Sequence, residues 1–160
     1  MILQIDDWQF DIDMERTMEY SAAEAAEHCD CAYCRNFYGA VDGKYPELRP
    51  FLAQFGIDME APEEMCPFAG ESILYDPTYK VYGKILRFGS LEMSCGTVNL
   101  VARASEDADG CFLLDCYEVF LPWILEEPFA EVVSTANEPS FLKKMWDRLL
   151  GRAKNSDLTS

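Results

Sequence analysis

Tyr79-Lys80-Val81-Tyr82-Gly83-Lys84-Ile85-Leu86-Arg87-Phe88 is the stretch on which the fold turns. It is rich in aromatic and β-branched residues, with Tyr82, Leu86 and Phe88 on one side of an extended chain and Val81 and Ile85 on the other. That composition predicts a strand. Downstream, residues 91–102 read as a second strand with Gly96 as a bend or bulge. Residues 106–110 are a solvated turn, and residues 111–121 form the most hydrophobic strand, closed by Pro122. Residues 129–134 are expected to form a last strand. Upstream, Trp8, Phe10, Ile12 and Met14 alternate with polar residues, a period of two that buries one face. Residues 1–5 are expected beside it as an edge segment.

Helical signals surround this sheet. Ser21 with Glu24 has the spacing of a capping box, and alanines follow. Residues 34–41 read as helix stopped by Asp42-Gly43. Leu48, Phe51, Leu52 and Phe55 make an apolar stripe over residues 46–55, and Gly56-Ile57 fits a left-handed cap. Residues 61–65 resemble a helical turn entered through Pro62. The broadest stripe is C-terminal: Phe141, Leu142, Met145, Trp146, Leu149 and Leu150. Strands and helices do not alternate regularly, which argues against a doubly wound fold. The expectation is an α+β domain over residues 1–154, an antiparallel sheet of four to six strands packed against several helices including the C-terminal one. Residues 155–160 are expected to fray.

Size and charge narrow the function. The chain has 160 residues, 49% hydrophobic and 13% aromatic, enough for a real core. Against 29 acidic residues stand 13 basic ones, a formal charge of −16. Such a field repels phosphate backbones and anionic lipids, so ordinary nucleic-acid or membrane binding is not expected. Lys143, Lys144, Arg148, Arg152 and Lys154 concentrate the positive charge near an expected helix C-terminus, where cations are favourable anyway. An acidic decoy that binds a protein with a basic surface is one functional alternative. No apolar run approaches the roughly 20 residues of a membrane span. Seven cysteines, an odd number, with no basic leader in the first residues, predict a reducing compartment, the cytoplasm.

The chemistry concentrates in His28-Cys29-Asp30-Cys31-Ala32-Tyr33-Cys34-Arg35-Asn36-Phe37. Zinc prefers four soft or borderline donors, and a Cys-x-x-Cys gap turns two sulfurs toward one ion. Cys31 and Cys34 supply that pair, Cys29 a third thiolate, and His28 or Cys66 a further ligand. Cys95, Cys111 and Cys116 lie within expected strands and read as small buried hydrophobes. The thiol-dependent alternative uses Cys31 and Cys34 as a redox dithiol, which needs the first thiol at a helix N-terminus. The tetrapeptide Cys31-Ala32-Tyr33-Cys34 resembles the active loop of glutaredoxins, a likeness confined to those four residues. A thioredoxin-like fold would place a strand immediately before the motif, where helix is expected instead. His28 is the sole histidine, so hydrolytic triads have one candidate base, and no phosphate-binding glycine loop is present.

Cys29-x-Cys31-x-x-Cys34-Arg35-Asn36-Phe37, Phe55-Gly56-Ile57-Asp58 and Leu121-Pro122-Trp123-Ile124-Leu125-Glu126-Glu127 together resemble a group of small bacterial proteins of unknown function. The resemblance implies that the cysteine run acts as a unit, and it transfers no activity or cofactor. Asn36 is expected to cap a turn or bond a thiolate, Arg35 to pair with carboxylates, and Trp123 to close one end of the core. The reading is a cytoplasmic binding or structural module without hydrolytic chemistry, whose cysteine turn is either simply packed, with no cofactor, or holds zinc.

Overall fold

The computed structural model of the chain describes residues 1–68, 72–106 and 109–128. By its internal contacts the chain divides into two compact units, Met1–Ile124 and Leu125–Ser160. All elements below belong to the first. The expected strand at 129–134, the C-terminal helix and the tail at 155–160 lie outside the described residues.

Among the described residues are strands β1 (Ile2–Ile5), β2 (Trp8–Ile12), β3 (Glu64–Phe68), β4 (Ile73–Arg87), β5 (Met93–Cys95), β6 (Val98–Ala104), β7 (Cys111–Tyr117) and β8 (Val119–Leu121). Helices α1 (Met14–Ala26), α2 (Ala32–Lys44) and α3 (Leu48–Ala53) complete them. Every strand pairing is antiparallel, in the order β1-β2-β4-β7-β6-β5, with β3 and β8 also paired to β4. This corrects the expected sheet of four to six strands beside several helices. Among the described residues the chain is sheet-rich, with eight strands and 40% strand against 26% helix.

The extra strands have local causes. Residues 91–102 are a hairpin: Cys95 pairs with Val98 across the two-residue turn Gly96-Thr97. Residues 111–121 run along β4 as β7 and then β8. The register shifts by one at Glu118, whose φ of 63° makes a bulge and whose amide donates to Asp76 Oδ1 at 3.2 Å. The expected helical turn at 61–65 is overturned, because Glu64–Phe68 alternates exposed and half-buried residues as β3. Pro67 is tolerated there because, among the described residues, β3 pairs with β4 alone, as an edge strand does. The central strand β4 begins at Ile73, six residues before the expected start at Tyr79.

The helices also start and stop elsewhere than expected. Asp13 caps α1 by accepting the Arg16 amide at 3.1 Å, so the Ser21–Glu24 pattern is interior. Where β2 ends, Tyr82 keeps Cys111 of β7 as its neighbour on one side and has no β2 residue on the other. Asp13 N donates to Tyr82 O at 2.9 Å, and Tyr82 N donates to Thr17 Oγ1 at 3.1 Å, which docks α1 on β4. Helix α2 runs through Asp42-Gly43 to Lys44. After α3 the chain closes as expected: Gly56 at φ +80° donates to Ala53 O and Ile57 N donates to Leu52 O.

One face of the sheet carries Phe10, Ile73, Tyr75, Tyr79, Val81, Leu100, Phe112 and Leu114, all buried, against Phe37, Val41, Leu48, Leu52 and Phe55 from the helical side. Phe10 stacks on Phe112 at 5.3 Å and meets Phe55 edge-on at 5.2 Å. The free side of β8 is covered by Tyr45, whose hydroxyl both accepts from Phe120 N and donates to Phe120 O at 3.1 Å. Helix α2 is thereby fastened to the sheet at its C-terminal end, while the loop before it exposes Cys29 and Cys31.

Candidate metal centre

The cysteine run folds as a short loop entering α2. Cys31 is the N-cap, with extended φ −61° and ψ 160°, and its carbonyl accepts the first helical bond from Arg35 N at 2.9 Å. Cys34 follows one turn on, and i, i+3 side chains share a helix face. Cys29 lies in the preceding loop, where its sulfur accepts the Cys31 amide at 3.5 Å. Arg35 Nε donates to the Asp30 carbonyl at 2.8 Å, so this contact of Arg35 holds loop backbone, not a carboxylate. The result is that Sγ of Cys29, Cys31 and Cys34 all lie within 4.8 Å of one another.

Among the described residues no other set of three or more potential ligand side chains meets this closely. His28 and Cys66 do not join the group. The His28 ring stacks on Tyr38 at 4.5 Å, one residue from Cys29 in sequence, and Cys66 is exposed on β3. Cys95 and Cys116 are buried and Cys111 is half-buried, its thiol directed to Asp109 Oδ1 at 2.9 Å.

The two helical sulfurs are electrostatically unequal. A hydrogen bond from the Cys34 thiol draws the Cys31 pKa down to about 5 against opposing burial, with the Cys34 and Tyr33 amides and the Cys29 thiol helping. The same bond holds the proton on Cys34 and pushes its pKa well up, reinforced by burial and by the negative charge on Cys31. A helix N-terminus favours this polarity because its amides face the anion. Three phenols wall the site. Tyr33, Tyr38 and Tyr75 are held above their ordinary value first by burial and then by the cysteine charges.

A buried brace stands behind the cysteines. Asn36 Nδ2 donates to Tyr75 Oη at 3.2 Å and to the Pro122 carbonyl at 3.1 Å, while its Oδ1 accepts Ile124 N at 2.8 Å. Tyr75 Oη donates to the Tyr33 carbonyl at 2.8 Å, tying the first turn of α2 to β4. The Trp123 ring meets Tyr33 edge-on at 5.9 Å and is half-buried, covering this turn. The expected thiolate or turn-capping role of Asn36 is therefore replaced by a bolt between α2, β4 and the segment after β8. Sequence reading had no route to Tyr75, which lies 39 residues from Asn36.

The element before the loop is α1, not a strand, so the Cys31–Cys34 pair does not sit as it would in a thioredoxin-like fold. Among the described residues no helix is long and apolar enough to cross a membrane. No protein-family model matches the chain, and no curated protein and no solved structure is matched by it.

Proposed function

We propose that this protein is a metal-binding module in which Cys29, Cys31 and Cys34 hold a zinc ion that fastens the loop before α2 to its first turn. The observation that carries this reading is the mutual approach of the three sulfurs within 4.8 Å. Zinc–sulfur bonds of about 2.3 Å in a tetrahedron require sulfurs roughly 3.8 Å apart, within reach of small side-chain rotations. Three thiolates around one divalent cation leave a net negative charge, and the amides at the start of α2 offset it. His28 takes the fourth corner once its ring turns away from Tyr38. The ion is structural: it replaces the missing hydrophobic contacts of an exposed loop in which Cys29 and Cys31 face solvent.

Elemental analysis of full-length protein purified without chelator should give one zinc per chain. Cys31→Ser should lower zinc affinity by at least about 100-fold, since loss of a ligand exceeds the 10–100-fold cost of losing a partner behind it. Cobalt substitution should give a sulfur-rich tetrahedral spectrum that shifts in His28→Ala. A chain that takes up neither zinc nor cobalt under reducing conditions would end this reading.

A further inference from the structure

We infer that the same sulfurs form an oxidation switch: Cys31 and Cys34 close to a disulfide and the zinc leaves. The release half rests on the zinc reading; the bridge does not. Three observations support it. The Cys31 and Cys34 sulfurs lie within 4.8 Å of each other, one at the cap of α2 and one a turn further on. Cys31 is exposed at the cap whereas Cys34 is half-buried behind it, so a small oxidant in solvent meets Cys31 before Cys34. Cys29 is separated from Cys31 by one residue, too short a span for comfortable bridge geometry, so it stays behind as the single thiolate, with His28 as the one other ligand. Half of the four-ligand set that zinc needs is then gone, and the ion passes to water or a chelator.

The oxidant class is a hydroperoxide, with hydrogen peroxide as the simplest member. The Cys31 sulfur attacks one peroxide oxygen; the sulfur–oxygen bond forms as the oxygen–oxygen bond breaks, and hydroxide departs. The Cys34 sulfur then attacks Cys31, forming the sulfur–sulfur bond and expelling the second oxygen as hydroxide. Two protons from solvent convert both hydroxides to water. Two electrons pass from the two sulfurs to the peroxide, and zinc dissociates without changing oxidation state. Added dithiol reverses the bridge by exchange.

The test treats zinc-loaded full chain with equimolar hydrogen peroxide, then counts thiols, maps the bridge by mass spectrometry and measures zinc release with a chromogenic chelator. Two of the seven thiols should disappear, with one zinc released per Cys31–Cys34 bridge, and dithiothreitol plus zinc should restore both. Cys66, exposed on β3 outside the triad, is the internal control. Cys34→Ser should form no such bridge and should leave Cys31 as a sulfenic acid that a dione reagent traps. Cys29→Ser keeps both partners and should still close. A bridge between other cysteines, oxidation spread equally onto Cys66, or closure that leaves zinc bound overturns the switch. A chain that takes no zinc yet closes the Cys31–Cys34 bridge overturns the metal reading alone.

Discussion

Asn36 shows how one side chain can matter to the site without touching a sulfur. It is fully buried, and all its described hydrogen bonds go to Tyr75, Pro122 and Ile124. Truncation to alanine strands the Tyr75 hydroxyl's acceptor side, the Pro122 carbonyl and the Ile124 amide in a partly dry setting. Each unsatisfied buried group costs about 1–3 kcal/mol, though some of these reach water, so Asn36→Ala should lose about 2–3 kcal/mol in urea unfolding. Asn36→Asp should be worse at neutral pH, because a carboxylate faces the Pro122 carbonyl with no donor. Part of that loss should return on acidification, when the carboxyl regains one proton to donate. Zinc stoichiometry should be unchanged in both variants. Asn36→Ala stability within error of the parent would show that α2 is held to β4 by packing alone. The cysteines themselves were legible in the sequence, because a Cys-x-Cys-x-x-Cys run brings soft donors together by its spacing alone. The role of Asn36 was not, because polar residues one turn inside a helix carry no sign of which strand will cover them.

At the scale of elements, the strongest constraint lies where β2 crosses β4. Gly83 has φ +142°, and a Cβ there would run into the Asp11 carbonyl and lie 3.0 Å from the Ile12 Cα, both backbone atoms that cannot swing aside. Gly83→Ala should therefore cost about 3 kcal/mol, combining a strained dihedral with a forced shift of the ladder. Thermal unfolding of the variant checks this, and a change under about 1 kcal/mol would show that the crossing is looser than described. The same elements explain what a sequence reading reaches. Strand β2 was readable because Trp8, Phe10 and Ile12 are all buried and the intervening residues are not. The cap at Gly56 was readable because glycine followed by an apolar residue has a specific backbone use. The start of α1 was misleading: Ser21 sits inside the helix, buried, and its hydroxyl accepts Asp58 N at 2.7 Å from the loop after α3. A capping-box spacing within a helix looks the same as one at its start. The break at Glu118 was equally hidden, since a non-glycine residue at positive φ leaves no compositional mark. Merged strands, not missing hydrophobicity, account for most of the undercounted sheet.

Over the whole molecule, the groups most sensitive to pH are acids that the fold keeps protonated. Tyr79 is fully buried and donates to the Met59 carbonyl at 2.8 Å; Tyr75 donates to the Tyr33 carbonyl; Cys116 is buried in β7. Burial is the first cause of a raised pKa in all three, above ordinary values of 10.0 for the phenols and 9.0 for the thiol. Between the unfolded and folded values the unfolded chain has lost these protons and the folded chain has kept them, so stability falls as pH rises. The contribution is intact below about pH 9 and is lost progressively above it. Each fully linked group takes about 1.4 kcal/mol per pH unit, so the three together take about 4 kcal/mol per unit above about pH 10. A domain of ordinary stability, about 5–15 kcal/mol, then unfolds within a few pH units. The 29 carboxylates add a second, different alkaline cost, because each new anion joins a chain already at −16. Salt separates the two: it screens surface repulsion and leaves the burial penalty largely in place. The expected result is a cooperative alkaline transition in which tyrosinate absorbance and loss of circular dichroism coincide, persisting in high salt. In Tyr79→Phe the pH slope should fall by about 1.4 kcal/mol per unit even though the neutral-pH stability is lower for want of the Met59 bond. Phenolate absorbance from all tyrosines rising smoothly near about pH 10, ahead of any unfolding, would mean the core admits water to these hydroxyls.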